Sequence, residues 1–287
     1  MDSPMFSKTW LSIVAAVFFV HVAFGSSAFT DHNSPGPLGL DGAFDLVFSD
    51  DFSENQLSSE NWTTCYWWDD NGCTNLGNKE LQWYIPGNVS IENGLLVLTA
   101  KPENVIGYKG KPFPYTSGMV TSGRYYEEDL SQTRFATTYG FFEMRARIPS
   151  GKGLWPAFWL LPQNHTSKPE IDIMEALGHR PDVLEMHYHY KNASGESRNS
   201  GHELETGDLS KDWQVYGLEW SAEAITWYLN GEEMWRFEET ALISNVPMYL
   251  IINLAVGGNW PGDPDDHTEF PAFMKVDYVR VWQRSVR

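Results

Sequence analysis

From Phe44 onward the 287-residue chain is a succession of short runs, alternating in polarity or rich in β-branched and aromatic residues, each closed by Gly, Pro or Asn. Examples are GLLVLTA (94–100), GFFEMRARIP (140–149), AITWYLNGEEMWRF (224–237) and FMKVDYVRVWQ (273–283). None sustains a helical period beyond two or three turns, so the framework is all-β. Asn230-Gly231, set between two strand-like runs, predicts a tight hairpin. In FFEMRARI, Glu143, Arg145 and Arg147 share one face, wet or cleft-lining, while Phe142, Met144, Ala146 and Ile148 share the other and pack in a core. With 42% hydrophobic residues and no internal repeat, one sandwich or jelly roll over 44–284 accounts for the chain.

Before that region, WLSIVAAVFFVHVAFG (10–25) follows Lys8 and ends on small residues, the pattern of a cleaved signal peptide over 1–25. A membrane anchor is the rival, but the run is short of the roughly 20 residues a span requires. Residues 26–43, rich in Gly, Pro and Ser, read as a linker. The expectation is therefore a secreted protein, extracellular or in the cell wall, off the membrane once cleaved. In an oxidising compartment Cys65 and Cys73, the two cysteines, are expected to pair, with two buried thiols as the alternative. Acceptor triplets begin at Asn61, Asn88, Asn164 and Asn192 and mark these as glycosylation candidates. A net charge of −18 argues against nucleic acid or an anionic membrane as partner and favours a neutral one.

The chemistry concentrates in PEIDIMEALG (169–178). As a strand, Glu170 and Asp172 share a face opposite Ile171 and Ile173. An unbroken pleat would turn Glu175 toward that apolar side, where an unpaired carboxylate is costly. One β-bulge at Ile173-Met174 restores it to the face of the other two. Three carboxylates on one face suit glycoside hydrolysis, in which one acid protonates the leaving oxygen and another stays ionised. A calcium site and a solvated acidic strand are the competing readings; calcium ligands usually come from a turning loop, so sugar hydrolysis ranks first. Trp155 and Trp159 (GLWPAFWLLP) and Trp260 (NLAVGGNWPG) sit beside Pro and Gly, where rigid rings can stack on sugars. For Trp159 core packing is the favoured reading.

The ordered series GLWPAFWLLP, EIDIMEALG, WYLNG, NLAVGGNWPG and VDYVRVW, with NKELQWY (78–84) before it, resembles the laminarinase branch of glycoside hydrolase family 16 from about Phe48 to Trp282. The resemblance implies a jelly-roll β-sandwich (concanavalin A-like) of two antiparallel sheets with a concave substrate cleft. It implies endo-acting, retaining cleavage of β-1,3-glucan, with Glu170 as nucleophile, Glu175 as acid/base and Asp172 bonded between them. The bulged motif is similar to that of endo-1,3-β-glucanases; lichenases and xyloglucan enzymes have the shorter, unbulged form. A β-1,3-1,4-glucanase, a transglycosylase or a non-catalytic glucan-recognition protein on this scaffold are the alternatives. Such binders usually lose a glutamate, whereas this chain keeps all three carboxylates.

By the same resemblance Asn78 and Glu80, with Gln82, line the cleft, as does one of His187 and His189. A metal held by the two histidines is set aside for lack of a nearby third ligand. Met119 stands where many laminarinases carry Arg. No cofactor is needed for the chemistry, although relatives often hold a structural calcium, for which Asp51, Gly94 and Asp277 are the matching positions. The expected partner is a β-glucan chain met by a monomer. GKG (151–153) lacks the full phosphate-loop pattern, and GDPDDHTE (262–269) reads as a solvated loop.

Overall fold

The alternating runs pair as strands. The computed structural model describes residues 36–68, 73–125, 128–164 and 166–285; the signal-peptide reading of 1–25 and the first part of the linker lie outside them. Among the described residues the first strands are β1 (Phe44–Asp50), β2 (Gln82–Tyr84), β3 (Val89–Ile91), β4 (Leu96–Ile106), β5 (Pro112–Ser117) and β6 (Met119–Thr121). There follow β7 (Gly140–Arg147), β8 (Leu154–Pro162), β9 (Glu170–Glu175), β10 (Val183–Lys191) and β11 (Ser197–Glu205). The last are β12 (Gln214–Trp220), β13 (Ile225–Leu229), β14 (Glu232–Phe237), β15 (Met248–Val256) and β16 (Ala272–Arg284). Every described helix is a single short 3-10 turn, and none is long and apolar enough to cross a membrane.

The strands form two sheets. The larger runs β14-β13-β12-β7-β16-β4-β5-β2, with β1 on β16 and β3 on β4; the smaller runs β11-β10-β9-β8-β15-β6. Pairing is antiparallel except between β5 and β2, the short strand at the edge of the larger sheet, which run parallel. The β13–β14 turn is the expected hairpin, with Asn230 at φ 53° and Gly231 at φ 82°, the two left-handed residues that a type I′ turn demands.

The sheets bury one core between them. Phe142, Met144 and Ala146 enter it from β7 and Ile148 from just beyond the strand's end, as the alternation required, and Ile171, Ile173 and Met174 join the same core from β9. The polar face of β7 departs from expectation, because it belongs to the larger sheet and not to the cleft. There Glu143 is only 2% exposed and accepts hydrogen bonds from the Leu38 backbone N–H (2.9 Å) and the Tyr278 hydroxyl (3.0 Å).

Burial differs sharply among the other candidate residues. Cys65 and Cys73 are both buried, 7% and 0% exposed. Cys73 Sγ lies 3.5 Å from Met119 Sδ, in an aromatic-lined cluster over β6 and β15. Met119 is thus a core residue and offers no subsite contact. Asn88 is 3% exposed and its amide donates to Thr116 Oγ1 at 2.8 Å. The amides of Asn61 and Asn192 donate to Asp50 and Glu196, both at 2.9 Å, while Asn164 is exposed.

The register also gathers the three calcium candidates. β1 ends at Asp50 opposite Val279 and β4 begins at Leu96 opposite Val276, which places Asp277 between the segments carrying Asp51 and Gly94. The donors are oxygens, as a hard cation requires, but Asp277 Oδ2 is already paired with Arg145 Nη1 at 2.6 Å. This junction belongs to the larger sheet and lies apart from the cleft.

Candidate active site

β9 lies at the middle of the smaller sheet, between β8 and β10. Opposite β8, Ala157 pairs with Glu175 and Phe158 with Met174, but Trp159 pairs with Asp172, so the ladder skips Ile173. Opposite β10 the register shifts in the same place, from Glu185–Glu175 to His187–Asp172. This is the expected bulge. Ile171, Ile173 and Met174 stay in the core, while Glu170, Asp172 and Glu175 all line one cavity of about 420 Å³ on the outer face of the sheet. Trp227, on β13 across the core, donates its indole N–H to the Asp172 carbonyl at 2.8 Å, beside the skipped residue.

Each carboxylate has its own environment. Glu175, 8% exposed, accepts from Trp155 Nε1 at 3.0 Å on Oε1, and His187 Nδ1 lies 3.0 Å from Oε2. Asp172 is 3% exposed; its Oδ2 has no hydrogen-bond partner, though His189 Nε2 approaches within 3.2 Å as an ion-pair contact. Glu170 keeps a side chain 28% exposed and lies 3.8 Å from His189 Nε2. Burial and then the neighbouring Asp172 push Glu170 up to about 8. Burial and then Glu175 raise Asp172 well above the usual carboxylate range. Burial lowers His189, partly offset by Glu170. For His187 burial also lowers, but Glu175, Asp172 and Glu185 outweigh it and the ring is raised. Groups that interact this closely share protons rather than titrating one by one.

Both histidines therefore line the cleft, and carboxylates are nearer to them than the spacing along the chain suggested. Glu170, Asp172 and His189, and separately Asp172, Glu175 and His187, bring oxygens and nitrogens within 4.8 Å of one another. Each trio thus supplies the third ligand that the spacing along the chain did not reveal, and its members face one another as carboxylate–imidazole pairs.

The platforms and polar walls follow. Trp260, 39% exposed, stands edge-on to Trp155 at 5.3 Å and to His187 at 5.7 Å. Trp159 lines the cavity as well, contrary to the core reading, with its indole N–H bonded to Asn253 Oδ1 at 2.7 Å. The Trp260 loop closes on the Asn78 loop because Gly258 (φ +115°) lets its backbone approach; a Cβ there would lie 2.8 Å from the Asn78 carbonyl oxygen. Asn78 and Glu80 line the cavity as expected. Glu80 is 5% exposed, accepts from Asn78 Nδ2 (2.9 Å), Gln82 Nε2 (2.6 Å) and the Asn75 N–H (3.3 Å), and is still raised by burial to about 7. Gln82 does not reach the cavity: it is fully buried and accepts the Val256 N–H at 2.7 Å.

Sequence reasoning missed Tyr66, Asn75, Asn199 and Asn253 among the lining residues. Asn253 carried a signal, a lone amide in an otherwise apolar strand, whereas nothing local marks Asn199 on β11.

Comparison with known proteins places this architecture. The pattern of Glycosyl hydrolases family 16 matches residues 78–280. The chain is 37% identical to the endo-1,3-1,4-β-glycanase EglC of Rhizobium meliloti (strain 1021) over 266 residues, 88% of this chain and 54% of that protein. It thus spans about half the length of that relative and of a second R. meliloti glycanase, ExsH. Among solved structures, the laminarinase catalytic domain of Thermotoga maritima MSB8 is 33% identical with a TM-score of 0.71, covering 85% of this chain and 99% of that one. LamA of Zobellia galactanivorans, solved with laminaritriose and laminaritetraose, is 31% identical with a TM-score of 0.72, covering 84% of this chain and 100% of that one. The chain belongs to glycoside hydrolase family 16.

Proposed function

We propose that the chain is a secreted, endo-acting glycoside hydrolase that cleaves β-1,3-glucan with retention of configuration. The observation that carries this reading is the bulge in β9, which brings Glu170, Asp172 and Glu175 to one face of a tryptophan-walled cleft. Glu170 attacks the anomeric carbon while Glu175 gives its proton to the departing glycosidic oxygen. Glu175 then takes a proton from water, which releases the sugar from Glu170. Attack requires Glu170 ionised, although burial favours its neutral form. Asp172, more deeply buried and with an unpartnered oxygen, is the natural holder of the shared proton, and its protonation leaves Glu170 free to attack. Trp155 and His187 hold Glu175 toward the cleft, and Trp260 offers an exposed ring for a pyranose face.

The protein acts as a monomer on a neutral polysaccharide, with no cofactor in the chemistry. Asp51, Gly94 and Asp277 would hold a calcium in competition with Arg145, and the ion would stabilise the fold without entering the reaction. A glycan would be carried on the exposed Asn164.

The test is Glu170→Gln and Glu175→Gln, each expected to lower laminarin hydrolysis by several orders of magnitude with the fold intact. Wild-type activity in either purified variant sinks the assignment. Product analysis on lichenan, with and without acceptor sugars, separates strict β-1,3 hydrolysis from mixed-linkage cleavage and from transglycosylation.

A further inference from the structure

The line of carboxylates does not stop at Glu175. In the ladder from β9 to β11, Glu175 stands opposite Glu185, and Glu185 stands opposite Glu203. Three glutamates therefore lie side by side on three adjacent strands. Like charges so placed repel, and each needs a cation or a shared proton to be tolerated. Arg180 supplies a cation at the outer end of the row, forked onto Glu203 with contacts of 2.5 and 3.1 Å. His187 then spans the remaining gap: its Nδ1 is 3.0 Å from Glu175 Oε2, and its Nε2 is 3.9 Å from Glu185 Oε2.

The ring is held in that bridging position. Gly201 lies opposite His187 on β11, where a Cβ would sit 2.4 Å from the ring's Cδ2, so a glycine makes room for the imidazole. Trp260 closes the other side edge-on at 5.7 Å. Glu185 is 6% exposed and does not line the cleft, so it meets the substrate only through His187.

We propose that Glu185 is a positioning residue: backed by Glu203 and Arg180, it holds a proton on the His187–Glu175 pair and keeps Glu175 supplied as an acid to higher pH. This rests on the reading of Glu175 as acid/base. With one proton the pair is neutral, and without it the pair carries a negative charge. A fixed negative neighbour therefore raises the pH at which that proton leaves. The charged groups facing His187 are Glu175 and Asp172 on β9, His189 and Glu185 on β10, and Glu203 on β11, with Arg180 from the loop before β10 opposing them. Glu185 is the nearest of these to Nε2 and the one whose removal leaves the contacts of Glu175 in place.

The experiment compares Glu185→Gln, which keeps shape and drops the charge, and Glu185→Asp with the wild type. His187 is titrated by NMR, and the pH dependence of kcat/KM on laminarin is recorded. In Glu185→Gln the His187 titration and the alkaline limb should both move down, by about half to one pH unit for a partly screened charge at this distance, with KM little changed. Glu185→Asp should restore much of both. An unmoved His187 titration in folded Glu185→Gln overturns the proposal, as does a moved titration with an unmoved alkaline limb. If Glu175→Gln keeps wild-type activity, the acid/base reading fails instead, and the His187 titration still decides whether Glu185 governs the pair.

Discussion

Trp227→Phe tests how the catalytic bulge is held. Trp227 is fully buried on β13, in the sheet opposite the cleft, and its indole N–H donates to the Asp172 carbonyl at 2.8 Å. Phenylalanine keeps a ring there but strands the carbonyl. An orphaned buried acceptor costs about 1–3 kcal/mol. The smaller ring leaves a void of roughly 40 Å³, worth about 1 kcal/mol at about 24 cal/mol per Å³. The expected loss is about 2–4 kcal/mol, read as a lower urea midpoint with unchanged slope. Since the bulge sets Asp172 against Glu175, kcat on laminarin should also fall, by about tenfold or more, with KM little changed. Trp235→Phe is the control: that ring stacks on Trp227 at 4.2 Å but makes no bond to β9, so it should cost stability and spare kcat. A Trp227→Phe loss below about 1 kcal/mol, or a kcat equal to that of the control, refutes the reasoning.

Two further outcomes follow from the same site. Glu80, raised by burial from 4.5 to about 7, favours its neutral form in the folded state, so its contribution is full below pH 4.5 and fades as pH rises through 7. At about 1.4 kcal/mol per pKa unit this is about 3 kcal/mol, so urea midpoints of wild type and Glu80→Gln should diverge in favour of the variant between pH 5 and 8; parallel curves would exclude a strained Glu80. Deleting Met174 removes the extra residue and leaves Glu170, Asp172 and Glu175 in strict alternation on β9. Activity should then survive with linkage preference shifted toward mixed-linkage glucan, measured as the ratio of lichenan to laminarin turnover. Complete inactivity of a folded deletion variant would show that the acid/base depends on the bulge itself.

Pattern and parity carried the architecture. Alternation in GFFEMRARIP placed Phe142, Met144 and Ala146 in the core, Asn230-Gly231 set the β13–β14 hairpin, and the broken interval in EIDIME located the bulge. These are local properties, because a strand's side chains alternate and a buried carboxylate beside isoleucines is costly. Burial and partner choice were not local. Asn88 fits an acceptor triplet, yet it is buried with its amide on Thr116, and Cys73 packs against Met119, 46 residues further along the chain. Trp159 looked like a core ring and instead lines the cleft, because its partner Asn253 arrives 94 residues later on β15. The histidines found their carboxylates only once β10 lay against β9, and Glu185 and Glu203 met only through the β10–β11 register. The sequence by itself determined which residues of a strand share a face, since the period of two is written into the chain. Which residues across strands share a proton, a bond or a cavity was decided by tertiary structure alone, because register between distant segments depends on packing that no single segment encodes.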